Sequence, residues 1–271
     1  MRAVAALPPE PAPGPEIERA RQWLSAFESE QLIAEHLLSR GVLPVGTDFE
    51  LLEDDEGVAG VSLVLPSGLW LLHARDDERL SSIVPRVVAR RRPSRVIVAG
   101  SRVEALLDAL PRGTAVARAR RQRVMTCARV QTRGEGRWAT LADCPQLGRY
   151  ADAYERERRV TLRCDWSRQV LPTPHVAVIE IERELVSVVR RLGETRHFAM
   201  LGGAFTFAPH RGGGYGTALT AFMTRELLGL RPRVHLRVDV DNTTARSIYE
   251  RVGFVDTGST FTAVLQHDAA N

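Results

Sequence analysis

The sequence contains no lysine; all 37 of its basic residues are arginine. That absence removes the lysine of a P-loop, the Schiff-base lysine of pyridoxal-phosphate enzymes and the ATP-binding lysine of protein kinases. Cysteine is scarce. Cys127, Cys144 and Cys164 are odd in number and lack C-x-x-C spacing, which argues against a disulfide framework or a zinc site and fits reduced thiols in a cytoplasmic protein. The 7 histidines show no H-E-x-x-H or paired spacing, so no metal is expected. No apolar run is long enough to span a membrane. The start, residues 1–15, has too short an apolar run and too many prolines for a signal peptide, so it reads as a loose, disordered tail. A formal charge of +4 favours anionic ligands, but the arginines are dispersed and lack interleaved aromatics, which argues against a nucleic-acid surface.

What the chain does have is a run of glycines behind an arginine, Phe205-Thr-Phe-Ala-Pro-His-Arg211-Gly-Gly-Gly-Tyr215-Gly-Thr217, between a strand pattern and a helix. Glycines allow positive φ and bring amides close to a ligand, and the first turn of the following helix offers unpaired N–H groups at its positive end. This is a place suited to a phosphate. It is not a dinucleotide fingerprint, because Leu219 stands where a third glycine belongs. The fixed residues are Arg211, Gly214 and Gly216, an R-x-x-G-x-G pattern.

About 25 residues later comes Val238-Asp-Val-Asp-Asn242-Thr-Thr-Ala245-Arg-Ser-Ile-Tyr249-Glu-Arg-Val-Gly253-Phe254. Arg233 to Val240 alternates as a strand, Asn242 stands where a helix needs an N-cap, and Ala245, Ile248, Tyr249 and Val252 form one helical face before Gly253 ends it. With these two motifs, in this order and spacing, the chain resembles the GNAT superfamily of acyl-CoA-dependent N-acyltransferases over residues 145 to 267. The first looks like that family's pyrophosphate loop and the second like its Asn-x-x-Ala-x-x-x-Tyr-Glu-x-x-Gly-Phe signature.

The resemblance implies acetyl-CoA as the cofactor. The amides of Phe205, Thr206 and Phe207 would meet pantetheine, and Arg211 with the amides of Gly212, Gly213, Gly214, Tyr215, Gly216 and Thr217 would meet the diphosphate. Asn242, Ala245 and Tyr249 would line the same site, with Tyr249 the catalytic acid that protonates the departing sulfur. Asn242 is also explained as a plain N-cap, and Tyr249 as a core aromatic. One departure from the family is plain: no acid occurs between Arg196 and His210, so the base that many members carry on this strand is missing, and His197 and His210 are the nearest titratable groups.

Residues 16 to 140 read as helix, three strands, helix, strand and helix, the same order as the C-terminal half. Arg92-Pro93 leads into a strand and helix as Arg231-Pro232 does, but Asp76-Asp77-Glu78 stands where the glycines should be. Three carboxylates there would repel a diphosphate. The expected organisation is therefore a tail over 1–15, a degenerate GNAT-like domain over 16–140 and an acetyltransferase domain over 141–271, with an unrelated α/β domain as the other reading of 16–140. The fold class is α/β with mixed sheets, in tandem GNAT-like domains that each hold a central, mostly antiparallel sheet flanked by helices. Residues 111–143 read as a strand hairpin. The function implied is acetyl transfer to the amine of a small molecule or peptide in the cleft between the halves. A non-catalytic acyl-CoA sensor, a longer acyl donor, an aminoacyl-tRNA donor and a homodimer stay open.

Overall fold

The computed structural model describes residues 14–27, 30–160, 162 and 164–268. Most of the loose tail expected over residues 1–15 lies outside the described residues. Pro15 itself is helical: its ring fits the first turn, where the missing N–H costs nothing, and it opens α1 (Pro15–Leu24), which is followed by α2 (Leu32–Ser39), so that two helices stand where one was expected. Then come β1 (Asp48–Asp54), β2 (Gly57–Val64), β3 (Leu69–Ala74), α3 (Asp77–Arg91), β4 (Arg95–Ala99), α4 (Val103–Ala109) and β5 (Thr114–Cys127). Next are β6 (Arg137–Trp138), α5 (Cys144–Arg158), α6 (Trp166–Val170), β7 (Val176–Ile181), β8 (Glu184–Glu194), β9 (Phe198–Thr206), α7 (Tyr215–Leu228), β10 (Arg233–Asp239), α8 (Thr243–Val252) and β11 (Val255–His267). The hairpin expected over 111–143 is absent. β5 is one long strand, and the two residues of β6 pair instead with Ala177 and Val178 of β7.

The described residues divide into two compact units, one of residues 14–124, 238–241 and 257–268, the other of 125–237 and 242–256. A boundary at 140/141 does not follow this division, because the last strand of the chain belongs with the first unit. Thr260–Val264 of β11 pair antiparallel with Ala99–Arg95 of β4, and Phe261, Ala263 and Leu265 enter the N-terminal core beside Trp70, Leu80, Val84, Val96 and Leu106. The order in this unit is β1-β2-β3-β4-β11. Both faces of its sheet are covered. Trp70 and Leu72 turn to the core that holds the α3 residues, while Leu71 turns to Ala20, Leu24, Ala34 and Leu38 of α1 and α2, the period of two that makes LWLLHA read as an almost continuous apolar run.

In this unit β3 runs parallel to β4 over only Leu69, Trp70 and Leu71 and then parts from it. Beyond the parting, His73 is buried against the rings of Trp23 and Phe27, with centroids 5.3 and 4.4 Å away. Among the described residues neither ring nitrogen of His73 has a hydrogen-bond partner, the Glu30 carboxylate lying 3.9 Å from Nδ1. Burial first, and the Arg102 cation second, push its pKa down to about 4 from the ordinary 6.5. The unfolded chain therefore takes up a proton that the folded one refuses, and stability present above pH 6.5 is lost as the pH falls toward 4. The loss is on the order of 3 kcal/mol. Urea unfolding across that range should show the slope in the wild type and flatten in His73→Phe; a slope unchanged by the substitution would place the acid sensitivity elsewhere.

The second unit repeats the pattern, with order β10-β9-β8-β7-β6. β7, β8 and β9 are antiparallel, and β9 runs parallel to β10 over Phe198, Ala199 and Met200 before the two separate. On one face Tyr150 and Leu147 of α5 pack on Val176, Val178, Val188 and Phe205. The register of β8 against β9 slips twice. Gly203 takes φ +61 there, and a Cβ on it would lie 2.8 Å from Tyr150 Oη and 3.1 Å from Arg190 Cδ.

Candidate functional site

All the residues singled out above for chemistry fall within this second unit. β9 gives way to one turn of 3-10 helix, Ala208–His210, and then to the glycines. Gly212 and Gly214 take φ +84 and +80, a region costly for any side chain, and the positions where a Cβ would sit face open space. Gly214 is the N-cap of α7. It has no side chain to cap with, and the first helical bond runs from Ala218 N to Gly214 O (3.0 Å). The amides of Tyr215, Gly216 and Thr217 are consequently left without an intrahelical acceptor at the positive end of a 14-residue helix. Gly216 permits close packing, since its Cβ would lie 3.3 Å from Thr206 Oγ1 and 3.6 Å from Ile248 Cδ1.

Arg211 stands at the rim, half exposed. Its Nε donates to Thr206 O (2.9 Å), its guanidinium carbon lies 5.5 Å from the centroid of the Phe205 ring, and one terminal nitrogen donates to Glu157 Oε2 of α5 at 2.5 Å. The cation is thus oriented by β9 and balanced by an acid from another helix.

Beyond Met200, residues up to Thr206 leave β10, so among the described residues one edge of β9 has no strand beside it. Of the three residues expected to present amides there, Phe207 does not, since its N–H donates to Val186 O in β8 (3.1 Å), and Phe205, paired with Val188, turns the same way. Alternation then turns Thr206 the other way, and the Thr206 carbonyl is indeed on Arg211 rather than on β8. Phe205 is buried, with its ring against Tyr150 and Tyr154.

α8 starts as its sequence indicates. Asn242 Oδ1 accepts from Ala245 N at 3.2 Å, which accounts for both residues as the helix start, and Gly253 closes the helix at φ +112. Tyr249 is buried on the inner face of α8, with the Phe254 ring 6.0 Å away. Burial, followed by the nearby Tyr154 phenol, pushes its pKa up to about 12, so it holds its proton well past neutrality. A buried phenol of this kind can donate a proton and does not easily give one up spontaneously.

Neither histidine near β9 is placed as a base. His197 lies before the strand, exposed, with Arg196 Nε donating to its Nε2 (2.8 Å), and His210 sits in the 3-10 turn with its ring 6.4 Å from that of Tyr215. Residues that sequence reasoning passed over include Tyr150, Tyr154 and Glu157 on α5. Their spacing of four and three put them along one side of a helix, a signal that was available. α6 was missed because five residues are too few for a helical period to show.

Residues 183–261, spanning both motifs, match the family model described as FR47-like protein. No curated protein sequence matches the chain significantly. Among solved structures, a GCN5-related N-acetyltransferase from Sphaerobacter thermophilus superposes with a TM-score of 0.62 at 16% identity, covering 94% of this chain and 94% of its own. An acetyltransferase of the GNAT family from Colwellia psychrerythraea gives 0.57 at 10% identity, covering 92% and 97%. A tandem GNAT protein from the clavulanic acid biosynthesis pathway gives 0.53 at 14%, covering 97% of this chain and 98% of that one. The resemblance to the GNAT superfamily carried by the two motifs is borne out as a likeness of fold along nearly the whole chain, and the FR47-like match covers the segment that holds the loop and Tyr249.

Proposed function

We propose that the C-terminal unit transfers an acyl group, acetyl in the first instance, from acyl-coenzyme A to the amine of a small molecule or peptide. The observation that carries this reading is the separation of β9 from β10 directly ahead of an uncapped, glycine-led helix start. The loop fits a diphosphate on its own terms: open amides, positive φ at Gly212 and Gly214, and a cation at the rim. Coenzyme A supplies an acyl group activated as a thioester. The chain supplies the rest. Arg211 and the amides of residues 212–217 hold the diphosphate, the unpaired edge of β9 near Thr206 aligns the pantetheine arm and polarises the acyl carbonyl, and Tyr249 keeps a proton on its hydroxyl for the leaving sulfur.

The N-terminal unit is a degenerate copy in this proposal. Its β3 parts from β4 after three pairs as β9 does from β10, but Trp23, Phe27 and His73 fill the space beyond, and the following helix is capped by Asp76, whose Oδ1 accepts from Arg79 N (2.9 Å). The cap takes one amide of this helix start, and the carboxylates of Asp76, Asp77 and Glu78 around the others repel a phosphate. A non-catalytic acyl-CoA-binding protein is the second reading, and the lack of an acid between Arg196 and His210 favours it.

Calorimetry with acetyl-CoA should give one site per chain. Gly214→Asp sets a carboxylate and a Cβ against the open amides, and affinity should fall at least tenfold, about 1.4 kcal/mol. Two sites per chain would remove the degenerate-copy assignment, and unaltered affinity in a folded variant would remove the loop assignment. Turnover with amines separates the enzyme from the sensor.

A further inference from the structure

Arg190 projects from β8 onto the same face as Tyr150 and Phe205, against the irregular stretch of β9. Its Cδ lies 3.1 Å from where a Gly203 side chain would begin, so the absence of that side chain is what admits it. The guanidinium is laid over the Trp166 ring, 5.3 Å from the centroid. One terminal nitrogen makes two long contacts, 3.4 Å to Gln169 Oε1 and 3.6 Å to Cys164 Sγ. Its Nε is buried and has no acceptor. Among the described residues no carboxylate lies within ion-pair distance of it. Other arginines of this unit are treated differently: Arg211 is held by Glu157, Arg137 by Asp143 and Glu180, and Arg191 by Glu194.

A half-buried cation supported by a ring face, the Tyr150 phenol, an amide oxygen and a thiol, with no carboxylate among the described residues, is an incomplete site. Taking a guanidinium partly out of water is costly unless an anion replaces the lost hydration, and the fork of Nε and a terminal nitrogen matches the two oxygens of a carboxylate. Trp166 fixes the plane of that fork, and Tyr150, whose hydroxyl is already committed to Gly203 O at 2.6 Å, walls one side. We propose that Arg190 binds a carboxylate of the acceptor, so that the substrates of this unit are amines that also carry an acid group, such as amino acids or peptides with a free C-terminus. The assignment rests on the acyltransferase reading for the word acceptor, but the anion site itself does not.

The test uses the full chain with coenzyme A present. A panel of N-acetyl amino acids, which are the products such a reaction would release, is titrated beside the matching C-terminal amides. At least one acid should bind tenfold or more tighter than its amide. Arg190→Gln should erase that difference while leaving coenzyme A affinity unchanged, and Arg190→Lys, which keeps the charge but not the fork, should retain part of it. Circular dichroism checks that both variants fold. Equal binding of acid and amide, no binding by any acid in the panel, or a preference that survives in Arg190→Gln would overturn the proposal. Should coenzyme A itself fail to bind, the acyltransferase reading falls, and the same titrations without it still decide the anion site.

Discussion

A chain ending at Asp256 is expected to lose its N-terminal unit, although every residue removed lies at the opposite end of the sequence. Residues 257–267 carry Phe261, Ala263 and Leu265, each exposed by 4% or less, into the core formed by β3, α3, β4 and α4. Large-to-small changes at single buried Phe and Leu positions cost about 3–5 and 2–5 kcal/mol. Losing both with the strand that carries them approaches the whole stability of an ordinary domain, about 5–15 kcal/mol. It also strips β4 of its antiparallel partner and exposes a hydrophobic edge. Hydrogen exchange on the shortened chain should show β4 and α3 without protection. Phe261→Ala, a milder change, should lower stability without abolishing folding. Native protection of α3 in the shortened chain would mean that the N-terminal unit closes without β11.

Tyr249→Phe should lower kcat by on the order of 10² to 10⁴ while coenzyme A affinity stays within about twofold, since the hydroxyl is required as the sulfur leaves and not for binding. The pH profile supplies a second arm. A phenol with its pKa pushed up to about 12 stays protonated through pH 10, so wild-type turnover should show no alkaline decline from this group in the range where an ordinary tyrosine would begin to ionise. Full turnover by the Phe variant on a working acceptor would reduce Tyr249 to a ring packed on Phe254.

The motifs were legible because each is a local requirement written in consecutive residues. Positive φ at Gly212 and Gly214, an Asn side chain three residues ahead of the amide it caps, and a glycine that ends α8 are all demands of one backbone segment on itself. So were most strands, whose alternation shows which residues are inside. What alternation does not carry is the identity of the neighbouring strand. Phe261 to Leu265 has the same pattern whether it lies on β4 or on another strand, so the chain's last strand was assigned to the nearer domain, and β5 was folded into a hairpin with residues that in fact pair with β7. Phe207 was misjudged for a related reason: which amides of β9 are open depends on the register with β8. Arg190 left no signal at all, one arginine among 37, because its interest lies in what is missing around it.

The place of β11 also sets an order of events in time. Arg95 and Ala99 are made first, and their partners Val264 and Thr260 leave the ribosome long after them. At ordinary synthesis rates that interval is on the order of ten seconds, far longer than a hairpin or helix takes to form. Throughout it the N-terminal unit carries a sheet with an open apolar edge, while the loop and the Tyr249 helix belong to the other unit, whose residues all precede 257. The half that is translated first is therefore the half that matures second, and β4 stays an open edge throughout that interval.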